Sequence, residues 1–319
     1  MSNNILGSDW NCETQQYRRR LMDQQSRQDL LWSLPQPILV FGCTILAATA
    51  VTTHWMDPGL FVSIMIFAPI VLILILERLV PKRQDWLLTW RDLTEDTFWV
   101  LATYLIWVPI YNAHYDTPIS NLFTSLRESS GFPFKLDAET TIGLLAAAMI
   151  GVFAKEFIAY WAHRVQHRFM FLWRIHATHH HIVKMSVGRA DRTHPLEFLG
   201  LNLGSAIALA FLGASDAVVG VVIVFSLTTA HINHANLPLK AGVFGWLFNT
   251  TEWHHLHHSC NYDESNTNYG CNVIIWDRIF GTFSDKSSIE RVGNGTGDRL
   301  SLLTQLSIPF RSNEVLRSL

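Results

Sequence analysis

Cysteine is scarce in this chain and poorly placed for pairing. The four among 319 residues, at positions 12, 43, 260 and 271, form no C-x-x-C pair. That argues against an iron–sulfur site, a zinc ribbon or a disulfide framework. Charge is scarce too: Asp, Glu, Lys and Arg make up 16% of the residues and the formal net charge is −2. Nothing in that balance suggests nucleic acid or another polyanion as a partner. The N-terminus from Ser2 to Arg27 is polar and lacks the charged, apolar, small-residue order of a cleavable signal peptide, so none is expected. Repeats, low-complexity tracts and long linkers are also missing. The glycines at 293, 295 and 297 do not form G-x-G-x-x-G and follow no apolar strand, so they read as a loop.

Apolar residues, by contrast, are 49% of the chain and are gathered into runs. Six stretches stand out, at 37–53, 60–76, 98–111, 142–162, 198–212 and 217–230. Several approach the length of about 20 residues that crosses a bilayer. The pattern predicts an all-α, integral-membrane helical bundle arranged as three hairpins. Its expected divisions are a polar N-terminal segment (1–30), N-terminal spans (31–140), a region of spans plus cytosolic cap (141–285) and a C-terminal tail (286–319). Arg18, Arg19, Arg20, Lys82, Arg83, Arg91, Arg164, Arg168, Arg174 and Lys184 all fall on one side of such a bundle, which the positive-inside bias makes the cytoplasm. Tryptophans 32, 55, 86, 90, 107 and 173 flank the runs and are expected to anchor at the interface.

Histidine is what the second half of the chain has in excess. His163 and His167, then His176, His179 and His180, then His231 and His234, then His254, His257 and His258 form four clusters at helical spacing. Residues three or four apart share a helix face, and neutral imidazole is the commonest metal ligand near neutral pH. Four such faces converging would enclose two metal ions, with roughly five nitrogens for each. His163 and His231 follow directly on apolar runs, where an ionisable group is expensive unless paired or ligating. All-imidazole sites suit zinc, copper, iron and nickel. Ten imidazoles exceed the three ligands of a zinc hydrolase, and the Glu-x-x-His signature of soluble di-iron bundles is not the pattern here.

These words and their order resemble the fatty acid hydroxylase superfamily of membrane proteins, which includes sterol desaturases and methyl oxidases. The resemblance runs from about Leu145 to Ser284, through H-R-V-Q-H (163–167), W-R-I-H-A-T-H-H (173–180), R-T-H-P-L-E (192–197), H-I-N-H-A-N (231–236), W-H-H-L-H-H-S (253–259), E-S-N-T-N-Y-G (264–270) and W-D-R-I-F-G-T (276–282). It implies a non-haem centre of two iron ions that uses O2 as co-substrate to attack a C–H bond of a lipid. Hydroxylation is the favoured outcome and desaturation the close alternative. No H-P-G-G haem motif is present, so electrons are expected from a separate donor protein. A membrane metal transporter is the competing class, but transporters place ligands near the bilayer midplane, whereas these clusters lie past the ends of the runs.

Several neighbours carry secondary expectations. His181 and His255 sit off the common spacing and should be exposed or support a ligand. His194-Pro195 with Glu197 looks like a helix start, with holding a ligand imidazole by its other nitrogen as the alternative. Asp191 and Glu264 are the obvious carboxylates to hold a ligand imidazole by its other nitrogen; Asn236, Asn266 and Asn268 could orient ligands or make turns. Residues 276–282 should pack the cap over the site, with Asp277 and Arg278 as a local ion pair. His54 and His114 belong at the opposite membrane face.

Overall fold

The computed structural model describes residues 22, 24–286, 288–293 and 297–318; most of the polar N-terminal segment and residues 294–296 of the glycine loop lie outside them. Among the described residues, helices and turns account for all regular structure apart from two isolated β-bridges. The principal helices are α1 (Pro35–Thr53), α2 (Pro58–Leu79), α3 (Trp90–Ala102), α4 (Thr117–Ser129), α5 (Thr141–Arg168), α6 (Met170–His180), α7 (Leu203–Phe211), α8 (Asp216–Asn233), α9 (Thr251–His257) and α10 (Ile275–Phe280).

Local sequence sets their starts. Asp57 caps α2 through Leu60 N at 2.8 Å, with Pro58 in the first turn, where its missing N–H costs nothing. Thr140 caps α5 through Gly143 N, Ser215 caps α8 through Val218 N, and Thr89 with Asp92 forms a reciprocal capping box on α3. Small residues bring the helices together. A Cβ at Gly204 of α7 would lie 2.6 Å from the Lys155 carbonyl of α5, so the two backbones touch only because that position is glycine. The shared core joins Ala47, Ala48 and Val40 of α1 to Ala148 and Val152 of α5 and to Val221, Val222 and Phe225 of α8. The N-terminal helices and the histidine-bearing ones are therefore packed as one body. Their outer faces are apolar as well, with Ile45, Leu46, Val71, Leu72, Ile75, Ile142 and Ile150 exposed. A helix apolar all round needs a hydrocarbon solvent, and the protein is an all-α, multi-pass membrane protein.

Among the described residues four helices, not six, are long and apolar enough to cross a bilayer uninterrupted: Gln24–Thr53, Gly59–Leu79, Thr141–Arg168 and Asp216–Asn233. The other two apolar runs still pass from one end of the bundle to the other. Leu136 exchanges backbone hydrogen bonds with Leu212 and Ser215, and Thr52 meets Thr141, marking the far end. Asp92 and Asp96 pair with Arg189 at the histidine end. The segment 90–129 makes its passage as a helical run broken by π-helical turns at Thr103–Trp107 and Asn112–Asp116, where Pro109 and Pro118 interrupt regular hydrogen bonding. The passage at 195–211 begins as a 3₁₀ turn and becomes the nine-residue α7.

Buried carboxylates fasten the polar end. Glu77 accepts from Ser186 Oγ, Val187 N and Asn236 N at 2.8–2.9 Å, tying α2 to two loops. Glu156 accepts from Asn272 N at 2.7 Å and pairs with Lys155 at 2.6 Å, fixing the 270–273 loop to α5. The tryptophans divide: Trp55 and Trp90 are exposed as expected for anchors, whereas Trp86 and Trp99 are buried, the latter donating to Gln305 Oε1 at 3.2 Å. Removing one partner of a buried pair strands the other charge, at a cost of about 3–5 kcal/mol. Glu156→Ala is therefore expected to lower stability by about 3 kcal/mol. Thermal unfolding in nanodiscs, compared with wild type, measures it, and an unchanged midpoint would contradict the pairing.

Candidate metal centre

Nine of the ten clustered histidines meet at the end of α5. Their donor nitrogens form two groups, each with all atoms within 4.8 Å of one another: His163, His167, His176, His180 and His257 in the first, and His179, His234, His254 and His258 in the second. The division follows from helix geometry. In H-x2-HH the outer histidines, four apart, face one way, and the middle one is turned from its neighbour by about 100°. In α6 the outer pair His176/His180 joins the first group and His179 the second; around α9 the outer pair His254/His258 joins the second and His257 the first. The two motifs are thus used in opposite senses, and each contributes to both groups.

The spacings suit metal ions. Nε2 atoms of His163 and His176 are 2.9 Å apart, those of His163 and His257 3.0 Å, His234 and His254 3.0 Å, and His254 and His258 3.1 Å. Imidazoles bound at about 2.1 Å to one ion, at right angles to each other, stand about 3.0 Å apart. Lone pairs brought so close repel without a cation or proton between them. His167 Nε2 and His180 Nε2 are buried with no protein partner, as metal-directed donors would be.

In four of the nine rings a backbone carbonyl holds the opposite nitrogen. His163 Nδ1 donates to Tyr269 O at 2.6 Å, His257 Nδ1 to Thr267 O at 2.8 Å, His234 Nδ1 to Ala230 O at 2.8 Å and His179 Nδ1 to Arg192 O at 3.3 Å. Each such bond selects the tautomer whose Nε2 lone pair faces inward. Burial then keeps the rings uncharged: His176 and His234 are pushed down to about 3, and His179, His180, His254, His257 and His258 fall well below the usual imidazole value, also through burial first and neighbouring rings second.

His231, the tenth, lies outside both groups. It remains inside α8 while His234 caps the helix, so the two point differently. Its Nε2 lies 3.1 Å from Asp191 Oδ2. The five-and-five division expected from spacing becomes five and four.

Among the supporting residues, Asp191 reaches a histidine, but Glu264 does not: it accepts from Ser259 and pairs with Lys286. The carboxylate beside a grouped histidine is Glu197, with Oε1 3.2 Å from His176 Nδ1. His194 does start a helix, a 3₁₀ turn in which its Nδ1 accepts from Leu196 N. His181 and His255 are both buried, the first against Asp298 O and the second between Lys82 and Trp86. The expected Asp277–Arg278 ion pair is replaced by other contacts. Asp277 accepts from Tyr269 N and Gly270 N at 2.7 Å, holding the loop whose carbonyl meets His163, while Arg278 stacks 3.6 Å over Phe283. Asn236 joins the 83 loop through Arg83 N and O, and Asn268 makes a left-handed turn with φ 57. A chain of arginines also supports the site without any local sequence signal. Arg189 and Arg192 pair with Asp92, Glu95 and Asp96 of α3, and that fixes the Arg192 carbonyl under His179.

Such a fold and site define a helical membrane protein with a buried double histidine cluster at one end. Residues 148–282 match the fatty acid hydroxylase family model, and the chain carries a fatty acid hydroxylase domain. It is 34% identical over 167 residues to an ornithine lipid hydroxylase of Rhizobium tropici, covering 51% of this chain and 50% of that one. It is 30% identical over 165 residues to the alkylglycerol monooxygenase of Homo sapiens (51% and 35%) and 26% identical over 164 residues to a methylsterol monooxygenase of Arabidopsis thaliana (50% and 59%). The chain thus spans about half the length of the first of these and less of the second. No solved structure matches it.

Metal analysis of purified variants tests the grouping. Wild type should hold two ions per chain, His254→Ala should lose the second group's ion and His231→Ala should keep both; loss of metal from His231→Ala would overturn the division. Acid should also act on the metal-free protein. Because His176 and His234 titrate near 3 when folded and about 6.5 when unfolded, the folded state binds fewer protons between those values. Stability is thus complete above about pH 6.5 and falls below it by about 1.4 kcal/mol per pH unit for each such ring. Chemical denaturation of the apo-protein from pH 7 to pH 4 reads this directly.

Proposed function

We propose that this chain is a membrane-bound, non-haem di-iron oxygenase that hydroxylates a C–H bond of a lipid. The observation that carries the reading is the pair of buried histidine groups, five and four strong, at the end of an apolar bundle. Iron ions in these groups would supply reductive activation of O2, which no amino-acid side chain provides. The chain's own part is positional. Carbonyls of Tyr269, Thr267, Ala230 and Arg192 hold the rings, and burial keeps them neutral and therefore able to ligate. The cap built from 251–283 covers the groups and limits access by water. Electrons come from a separate donor protein. By the basic residues near this end, the histidines face the cytoplasm.

Desaturation by the same centre is not favoured: the relatives above are named as a hydroxylase and monooxygenases. Transport of metal is disfavoured by the position of both groups at one end of the helices, where an alternating-access site would lie between repeats at mid-membrane. Lipid extracts incubated with the iron-loaded protein, a reductant and O2 should gain one oxygen atom in a product lipid, with matching O2 uptake. His179→Ala and His257→Ala should abolish this while still inserting in the membrane. Metal flux across a vesicle without O2 uptake would overturn the assignment.

A further inference from the structure

A cavity of about 510 Å³ opens between α5, α6, the turn at 195–200 and the segment at Pro309-Phe310. Its walls are almost wholly apolar, including Val165, Phe171, Ile175, Leu199, Leu203 and Phe310. Phe171 and Phe310 are 78% and 74% exposed, so the rim itself is apolar and outward-facing. Such a surface at the flank of a membrane bundle is continuous with lipid rather than with water. The volume lies within the range of about 300–1,000 Å³ typical of small-molecule sites.

Two polar residues interrupt the apolar lining: Arg174, whose guanidinium is engaged by Pro309 O and Asn313 Oδ1 at 2.9 and 2.6 Å, and Gln166. Gln166 sits in the α5 turn between His163 and His167 and is 2% exposed. Its Nε2 donates to Glu197 Oε1 at 2.9 Å, and that same oxygen lies 3.2 Å from His176 Nδ1. The remaining amide atom, Oε1, is buried without a protein partner. Gly200, another wall residue, makes room for this amide: a Cβ there would come within 2.4 Å of Gln166 Nε2. A buried acceptor left unmade is destabilising, so its retention in a mostly apolar wall points to a ligand that supplies the donor.

We propose that this cavity seats the hydrocarbon chain of the substrate and that Gln166 Oε1 accepts a hydrogen bond from an amide N–H or hydroxyl carried by that lipid. The inference rests on the lipid-oxygenase reading and deepens it. It assigns Gln166 a selective role, because chains without a donor leave the acceptor unpaired. Orientation follows from the same contact: the Gln166–Glu197–His176 connection lies between the lipid's polar group and the first histidine group.

Photolabelling of the metal-free protein in nanodiscs tests this without turnover. A palmitoyl chain bearing a diazirine is irradiated with the protein, and adducts are mapped by peptide mass spectrometry. N-palmitoyl glycine methyl ester, hexadecyl glycerol and methyl palmitate serve as competitors. Adducts should concentrate in 162–175 and 196–203. Leu199→Trp and Val165→Trp, both at partly exposed positions, should each cut them at least about fivefold, the loss expected when the site is filled. The amide or the hydroxyl lipid should compete about tenfold better than methyl palmitate, one hydrogen bond's worth, and Gln166→Leu should bring that ratio to about one. Which of the two donors wins identifies the lipid's polar group. Adducts spread evenly over lipid-facing helices, or a ratio unchanged in Gln166→Leu, would overturn the proposal. A protein that labels as expected but takes up neither iron nor O2 would instead overturn the oxygenase reading alone.

Discussion

Mutual repulsion among buried imidazole lone pairs is the constraint around which this molecule is built. Nine rings crowd within two volumes a few ångströms wide, and each must be uncharged and correctly tautomeric. Neutrality comes from burial, and for His163, His257, His234 and His179 the tautomer comes from backbone carbonyls that occupy the outward nitrogens. Carbonyls of loops can do this only when the loops are themselves pinned, and the buried carboxylates are what pin them. Asp277 holds the 269–270 turn, Glu156 the 272–273 turn, and the acidic face of α3 holds Arg189 and Arg192. The site is thus supported in layers, from ring to carbonyl to carboxylate to helix.

Most of that support is polar and sits at one end, while the rest of the bundle is apolar inside and out. The two halves serve each other. Alanine and glycine faces let α1, α5, α7 and α8 approach closely enough that the ends of α5 and α8 arrive together. The broken helical run at 90–129 carries Asp92, Glu95 and Asp96 to the same end. Under the proposed function the arrangement would suit reactants that differ in solvent preference: a lipid chain would reach the histidine groups from the apolar flank, and electrons would arrive from the polar end.

The fold class and the histidine groups were largely legible from sequence, since both depend on short-range periodicity. Apolar runs of sufficient length announce membrane helices, and H-x3-H or H-x2-HH announces a shared face. The count of uninterrupted spans was less legible. Residues 98–111 and 198–212 are apolar enough to be read as spans, but proline and glycine leave one with π-turns and shorten the other. Glu197, in a segment read first as a helix start with a ligand-holding role as the alternative, lies beside His176; Glu264, the more obvious candidate, is engaged by Ser259 and Lys286.

By itself the sequence determined what lies within a few residues: helix faces, caps, the apolar character of the spans and the chemical type of the donors. Tertiary structure alone decided which histidines share a group, that His231 turns to Asp191, and that Gln166 is left with an open acceptor beside an apolar cavity. The reason is one of range. Periodicity fixes the angle between neighbouring side chains on one helix, whereas the meeting of four separate segments depends on how helices pack, and packing is settled by contacts between residues far apart in the sequence.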